Sequence, residues 1–125
     1  MDYSRTSPHP MFVRTFDDLD LALSVDFAGP LWNYLAFGFS PGNFMMSMLC
    51  DDFKSAIASA HPSLPIVSLK HFMIWTDHFA PPQSYGSVHK VADWRAMSDE
   101  TRRDIMIEYK LRPTVFEILS GTEAP

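Results

Sequence analysis

Residues 27–50 read FAGPLWNYLAFGFSPGNFMMSMLC, a run of 24 residues without a charged side chain. A membrane-spanning helix needs about 20 predominantly apolar residues in one unbroken helix. Gly29-Pro30 and the turn sequence at residues 38–42 interrupt this stretch twice. The stretch therefore predicts two shorter helices joined by a tight turn, which form the centre of a small soluble core or a core plus an interface.

The residues after this turn predict the longest helix of the chain. Ser40 is a suitable N-cap, and Pro41 fits the first turn of a helix, where its missing N–H does no harm. From Phe44 onwards apolar residues recur at helical spacing, which predicts a buried stripe that includes Phe53, Ala56 and Ile57, until His61-Pro62 ends the pattern. We expect one long central helix over about residues 42–60.

Apolar spacing and capping residues place further helices on both sides of the central one, and no stretch alternates as a strand would. The sequence predicts an all-α fold, a compact single domain of about five to seven short helices around the central helix. Residues 1–10 are expected to form an extended arm and residues 11–125 the helical domain. The other helices are predicted over roughly residues 15–26, 30–37, 64–79, 87–97 and 98–111.

Composition narrows the class of protein. A chain of 125 residues with 46% hydrophobic residues fits one globular domain. A net charge of −5 argues against sequence-independent nucleic-acid binding, which depends on Lys and Arg at phosphates. The single cysteine, Cys50, cannot form an intramolecular disulfide, and the N-terminal residues do not resemble a signal peptide. Cytoplasmic localisation, without membrane association, is the expectation.

A spaced pattern runs through the middle of the chain: Tyr34-Leu35, Gly38, Pro41-Gly42, Phe44, Met48-Leu49, Asp51-Asp52, Ala80-Pro81, Gly86-Ser87, Val91 and Trp94. It resembles a signature of small phage- and prophage-encoded proteins of unknown function. Ser40 and Asp51 stand where those proteins carry Pro and Asn. The resemblance covers about residues 31–94 and implies a viral accessory protein in the cytoplasm of a host cell.

The Asp, His and Cys residues, which often act in catalysis or metal binding, show no spacing typical of a catalytic, cofactor or metal site. Asp51 and Asp52 are adjacent, so on one helix their side chains diverge by about 100°. His71 and His78 are seven residues apart, about 10 Å along a helix, too far to bind one metal ion directly. Cys50 is interpreted as a small buried hydrophobe, since no base or oxyanion site lies near it in sequence.

Three groups of residues remain as candidate binding sites. The first is the turn Ser40, Gly42 and Asn43, whose free N–H groups suit an anion. The second is the acidic cluster Asp17, Asp18, Asp20 and Asp26, suited to a basic partner. The third is the apolar pair Phe39 and Met46, off the main helical stripe and suited to a protein interface. The basic residues from Lys90 to Arg112 alternate with acids, which predicts ion pairs on solvated helices.

These observations favour a non-enzymatic protein that binds a host protein, such as a defence nuclease or a nucleic-acid enzyme, and inhibits or redirects it. A structural homo-oligomer, in the simplest case a homodimer, is the first alternative. A protein that binds or processes a nucleotide at residues 40–44 is the second.

Overall fold

The structure, a computed structural model, describes residues 8–18, 27–60, 62 and 67–114. Over these residues the chain is helical and contains no strand, which confirms the predicted all-α single domain. The helices are α1 (Pro10–Asp18), α2 (Ala28–Phe37), α3 (Asn43–Leu49), α4 (Phe53–Ser59), α5 (Val67–Phe79), α6 (Val88–Ala96) and α7 (Asp99–Glu108), with a short 3-10 helix (Pro82–Ser84) before α6.

Helix α1 begins at Pro10, earlier than the residue near 15 expected from the apolar spacing. The imidazole of His9 accepts a hydrogen bond from the Met11 N–H at 3.0 Å, so it satisfies an N–H group of the first turn. Pro10 is therefore part of the helix, whereas residues 1–7 of the predicted arm and residues 19–26 lie outside the described part of the chain.

Helix α1 packs against α2 and α5 through a cluster of aromatic side chains. Phe16 stacks on Trp75 of α5 with ring centroids 4.9 Å apart, and Phe12 makes T-shaped contacts with Trp75 and Trp32. The indole N–H of Trp75 donates to the Thr15 hydroxyl at 2.7 Å, and all of these side chains are buried. Aromatic pairs in these arrangements contribute beyond the area they bury, so they fix α1 against α2 and α5.

The end of α2 matches its prediction. Gly38 adopts a left-handed conformation with φ 74°, and its N–H bonds back to the last turn of the helix. The turn that follows differs from its prediction, because Ser40 does not cap α3. That helix begins at Asn43, and Gly42, with φ 97°, occupies the capping position without a side-chain hydrogen bond.

The long central helix predicted over residues 42–60 is not confirmed, since α3 ends at Leu49 and α4 begins at Phe53. Asp51 adopts the left-handed conformation with φ 60°. Asp52 then caps α4, its carboxylate accepting a hydrogen bond from the Ser55 N–H at 3.1 Å. The apolar spacing continues across residues 50–52, but the local capping chemistry of Asp52 breaks the helix there.

A hydrogen bond from a distant part of the chain satisfies a backbone carbonyl at the end of α3. The backbone N–H of Gly86, in the segment before α6, donates to the Leu49 carbonyl at 2.7 Å. This carbonyl belongs to the last turn of α3, where no partner within the helix is available. The break between α3 and α4 is therefore supported both locally, by Asp52, and by tertiary structure.

The left-handed conformation of Asp51, between α3 and α4, can be tested by substitution. Asp51→Ala should lower the free energy of unfolding by about 1 kcal/mol, because alanine tolerates a left-handed conformation less well than aspartate. Asp51→Asn is the matched control and should change stability by less than about 0.5 kcal/mol, since asparagine is enriched in this conformation. Urea unfolding of the three proteins measures the difference. Equal stability of the alanine and asparagine variants would argue against the break.

The last two helices begin where the sequence predicts. The Ser87 hydroxyl accepts from the Lys90 N–H and the Ser98 hydroxyl from the Thr101 N–H, each at 3.1 Å. Helix α7 ends at Glu108, slightly before the predicted end near Leu111. Lys110, with φ 61°, reverses the chain, and the Leu111 N–H bonds back to the Met106 carbonyl at 2.9 Å.

Candidate functional site

Tyr34 and Trp94, two residues of the spaced pattern in the sequence, meet Ser84 in the interior of the domain. The Tyr34 hydroxyl donates to the Ser84 carbonyl at 2.7 Å, and the indole N–H of Trp94 donates to the Tyr34 carbonyl at 3.3 Å. All three residues are fully buried. Burial raises the pKa of the Tyr34 hydroxyl, so the group stays protonated and acts as a donor. This cluster joins α2, the 3-10 helix and α6, and its role is structural.

A buried arginine links the ends of two helices. Arg102 on α7 is only 3% exposed. Its Nε donates to the Ala36 carbonyl at 3.3 Å, and its Nη1 donates to the Trp94 and Arg95 carbonyls at 3.1 and 3.2 Å and also to that of Met97. Its Nη2 pairs with the Asp99 carboxylate. The expectation of a solvated basic residue is wrong for Arg102, because its guanidinium caps the C-terminal ends of α2 and α6.

Arg95 completes this arrangement at the end of α2. Its Nε donates to the Gly38 carbonyl at 2.9 Å. Gly38 is buried against the same groups, since a Cβ there would lie 3.0 Å from Arg102 Nη1 and 3.1 Å from the Arg95 carbonyl oxygen. Two arginines thus act as C-terminal caps for a helix whose last carbonyls carry partial negative charge. Neither Arg95 nor Arg102 was singled out as a site by its spacing in the sequence.

The turn predicted to bind an anion lies at the surface. Ser40, Gly42 and Asn43 are exposed, and the Gly42 N–H donates to the Ser40 hydroxyl at 3.3 Å. This bond engages one of the N–H groups on which the anion hypothesis depends. Helix α3 is only seven residues long, so its dipole offers little attraction to an anion.

The acidic cluster is described only in part. Asp17 is exposed on α1, and Asp18 is the last residue of that helix. Asp20 and Asp26 lie outside the described residues. The interaction of this cluster with a basic partner stays a prediction.

The two predicted apolar contact residues differ in exposure. Phe39 is 40% exposed and stacks on Phe37, with ring centroids 5.8 Å apart. Met46 is half-buried and packs against the core, so it presents less surface to a partner than Phe39 does. Of this pair, Phe39 has the surroundings expected of an interface residue.

A more exposed apolar surface lies on α4, where the sequence pattern placed core residues. Ile57 is 65% exposed and Phe53 is 39% exposed, whereas Ala56 is buried. Both large residues were expected in the buried stripe of one long helix. The break at residues 50–52 turns α4 relative to α3, so that only Ala56 continues the buried side. The Asp52 capping signal is the sequence feature that would have revealed this surface.

The described cysteine and histidine residues lie apart from one another and have separate surroundings. Burial, followed by the charges of Asp52 and Asp51, raises the pKa of the half-buried Cys50 thiol, which disfavours the nucleophilic thiolate. The exposed His78 ring bonds to the Ile74 carbonyl at 2.9 Å, one turn back on its own helix. Within the part of the chain that the structure describes, no three His, Cys, Asp or Glu side chains are grouped to hold a metal ion.

Among the helices of the described residues, none combines the length and apolar character that crossing a membrane would require. Comparison of the chain with protein-family models, curated proteins and solved structures gave no significant match.

Proposed function

We propose that this chain is a non-enzymatic phage accessory protein that binds a host protein and inhibits or redirects it. The observation that carries the proposal is the exposed apolar face of α4, formed by Phe53 and Ile57 and called the α4 face below. The resemblance to phage-encoded proteins supports the viral setting. The target class that we favour is a defence nuclease or another nucleic-acid enzyme.

The α4 face has the properties of a protein-binding surface. Phe53 and Ile57 are four residues apart, so their side chains lie next to each other along one side of the helix. Burial of apolar area at an interface contributes about 25 cal/mol per Å² before the costs of association are subtracted. An aromatic and a branched aliphatic side chain in adjacent positions are suitable anchors for a groove on a partner.

Charges beside the α4 face indicate the chemistry of the partner. Asp51 and Asp52 are exposed and directly precede Phe53. The Ser55 side chain and backbone N–H, through hydrogen bonds, lower the pKa of Asp52, so its carboxylate is ionised at neutral pH. With a net charge of −5, the chain would be attracted to an apolar groove bordered by Lys or Arg. Enzymes that act on nucleic acids carry such basic borders, which supports the proposed target class.

An affinity experiment with matched variants tests the proposal. Wild-type protein, Ile57→Asp and Val88→Asp are each used as bait in host lysate, and retained proteins are identified and purified. Val88 is the control, because it is 66% exposed on α6, close to the 65% of Ile57. We expect Ile57→Asp to weaken binding of the purified partner at least about tenfold, since it places a charge in an apolar contact. Val88→Asp should bind as wild type does.

The outcome must be separated from a loss of folding. Thermal unfolding of both variants should resemble wild type, because each replaces an exposed side chain. Inhibition of the purified partner's activity by wild type, but not by Ile57→Asp, would establish the functional consequence. If every retained protein binds equally to all three baits, the α4 face is not the contact surface and the proposal fails.

Self-association is the second candidate function, because the same apolar face is available to a second copy of the chain. A homodimer would bury Phe53 and Ile57 of both copies around a two-fold axis. Light scattering after size exclusion distinguishes the two functions. A dimer that Ile57→Asp converts to a monomer supports self-association, whereas a wild-type monomer excludes it.

A further inference from the structure

An exposed aromatic side chain and an exposed arginine lie together at the turn after α2. Phe39 is 40% exposed and stacks on Phe37, with an angle of 26° between the ring planes. The Nε of Arg95 donates to the carbonyl of Gly38, the residue between these two phenylalanines. This carbonyl and the Phe39 backbone nitrogen belong to one peptide unit, so the 2.9 Å hydrogen bond places Arg95 Nε within about 5 Å of that nitrogen.

Backbone hydrogen bonds hold this turn in one conformation. The N–H groups of Gly38 and Phe39 donate to the last turn of α2, at 2.9 Å to the Tyr34 carbonyl and at 3.3 Å to the Asn33 carbonyl. The Phe39 ring is further fixed by its contact with Phe37, and the guanidinium by its bond to the Gly38 carbonyl. A surface that is ordered before binding loses less conformational entropy when a partner docks.

The positive charge of Arg95 remains available to a partner. Arg95 is exposed, and its two Nη groups have no hydrogen-bond acceptor among the residues that the structure describes. Asp99, the first acid of α7, pairs with Arg102 instead. Within the described ranges, therefore, no carboxylate forms an ion pair with Arg95, and its charge favours an acidic group on a partner.

We propose that Phe37, Phe39 and Arg95 form a docking surface for a protein segment that carries an apolar side chain next to an Asp or Glu. The aromatic pair offers apolar contact area, and the Nη groups offer a carboxylate charge-assisted hydrogen bonds. Phe and Arg are both enriched at protein interfaces. A nucleic acid fits less well, since the net charge of −5 repels a chain of phosphates. The surface shares no residue with the α4 face and does not depend on the proposed function.

Titration with the blocked peptide acetyl-Gly-Leu-Asp-Gly-amide, followed by NMR, tests this surface. We expect saturable binding to wild type with a dissociation constant on the order of millimolar, and signal changes at the Phe39 amide and the Arg95 Nε–H. The matched peptide with Asn in place of Asp should bind at least about tenfold more weakly, because its neutral amide cannot form the charge-assisted hydrogen bonds.

Variants assign the binding to these residues. Phe39→Ala should weaken binding of the Asp peptide at least about fivefold, because apolar contact area is lost. Phe53→Ala is the matched control, since Phe53 on the α4 face is 39% exposed, and it should leave the affinity unchanged. Arg95→Gln should bind the Asp peptide as weakly as wild type binds the Asn peptide. Arg95 also caps α2, so thermal unfolding of this variant is measured in parallel, and Phe39→Ala decides the outcome if Arg95→Gln does not fold.

Three results would overturn the proposal: no saturable binding of the Asp peptide, equal binding of the Asp and Asn peptides, or wild-type affinity of Phe39→Ala. A short oligothymidylate is titrated in parallel, because its bases could stack on the phenylalanines and its phosphates could bind the arginine. Tighter binding of the oligothymidylate than of the Asp peptide, lost in Phe39→Ala, would assign the surface to single-stranded nucleic acid and would also overturn the proposal.

Discussion

Replacing Arg102 by methionine is expected to lower the free energy of unfolding by about 3–5 kcal/mol. The guanidinium donates to carbonyls at the ends of two helices, α2 and α6, and its side chain is almost entirely buried. Methionine fills a similar volume but donates no hydrogen bond. Buried carbonyls would then lose their partners, at about 1–3 kcal/mol for a fully desolvated group.

Urea unfolding of Arg102→Met measures this effect, and two further variants define its origin. Arg102→Lys keeps the positive charge but lacks the planar fork that reaches several carbonyls at once, so it should recover little of the loss. Arg103→Met is the matched control, since Arg103 is the adjacent arginine on α7 and its Nε makes no hydrogen bond among the described residues. A loss below about 1 kcal/mol for Arg102→Met would show that these hydrogen bonds contribute little.

Gly38→Ala should have the second largest effect, a loss of about 2–4 kcal/mol. Part of this loss comes from the backbone, because φ at Gly38 is 74°, a region that residues with a Cβ rarely adopt. The rest comes from packing. The added Cβ would stand 3.0 Å from Arg102 Nη1 and 3.1 Å from the Arg95 carbonyl oxygen, and the buried guanidinium has little room to move.

Gly42→Ala separates the two contributions. Gly42 also has a positive φ, 97°, but nothing lies within 4 Å of the Cβ that alanine would add. Its loss should therefore be limited to backbone strain, about 1–2 kcal/mol. In the Arg102→Met background, Gly38→Ala should cost less than in wild type, because the crowded guanidinium is absent. Equal losses for Gly38→Ala and Gly42→Ala would contradict close packing at Gly38.

Gly38 and Arg102 differ in how well the sequence predicts their structural roles. Gly38 is recognisable as a helix stop, since glycine after an apolar helical stretch is a frequent C-terminal signal. Arg102 is one of several basic residues alternating with acids and has no local feature that predicts burial. Its position depends on α2 and α6 ending beside α7, with carbonyl partners up to 66 residues away. Such contacts are not encoded in the spacing of neighbouring residues.

The α4 face illustrates the same limit for function. Helical periodicity placed Phe53 and Ile57 in a buried stripe, and that prediction was wrong for both side chains. The periodicity itself is present, but the Asp52 cap interrupts the helix that would have carried it. Phe39, in contrast, was predicted as an accessible apolar residue and is exposed. Turn signals on both sides of a loop predict its exposure directly. For a residue in a helix, the exposed side can be predicted only if the helix is known to be continuous.

Sequence alone determined the all-α class, the stop at Gly38 and the starts of α6 and α7 at Ser87 and Ser98, because periodicity and capping act within a few residues. Tertiary structure decided which apolar residues face outward and which cations are buried. The uncharged run at residues 27–50 formed two helices joined by a turn, as predicted, but its second helix ends at Leu49, where a distant N–H satisfies its carbonyl. Burial and long-range hydrogen bonds depend on the whole packed chain, so they could be read only from the folded protein.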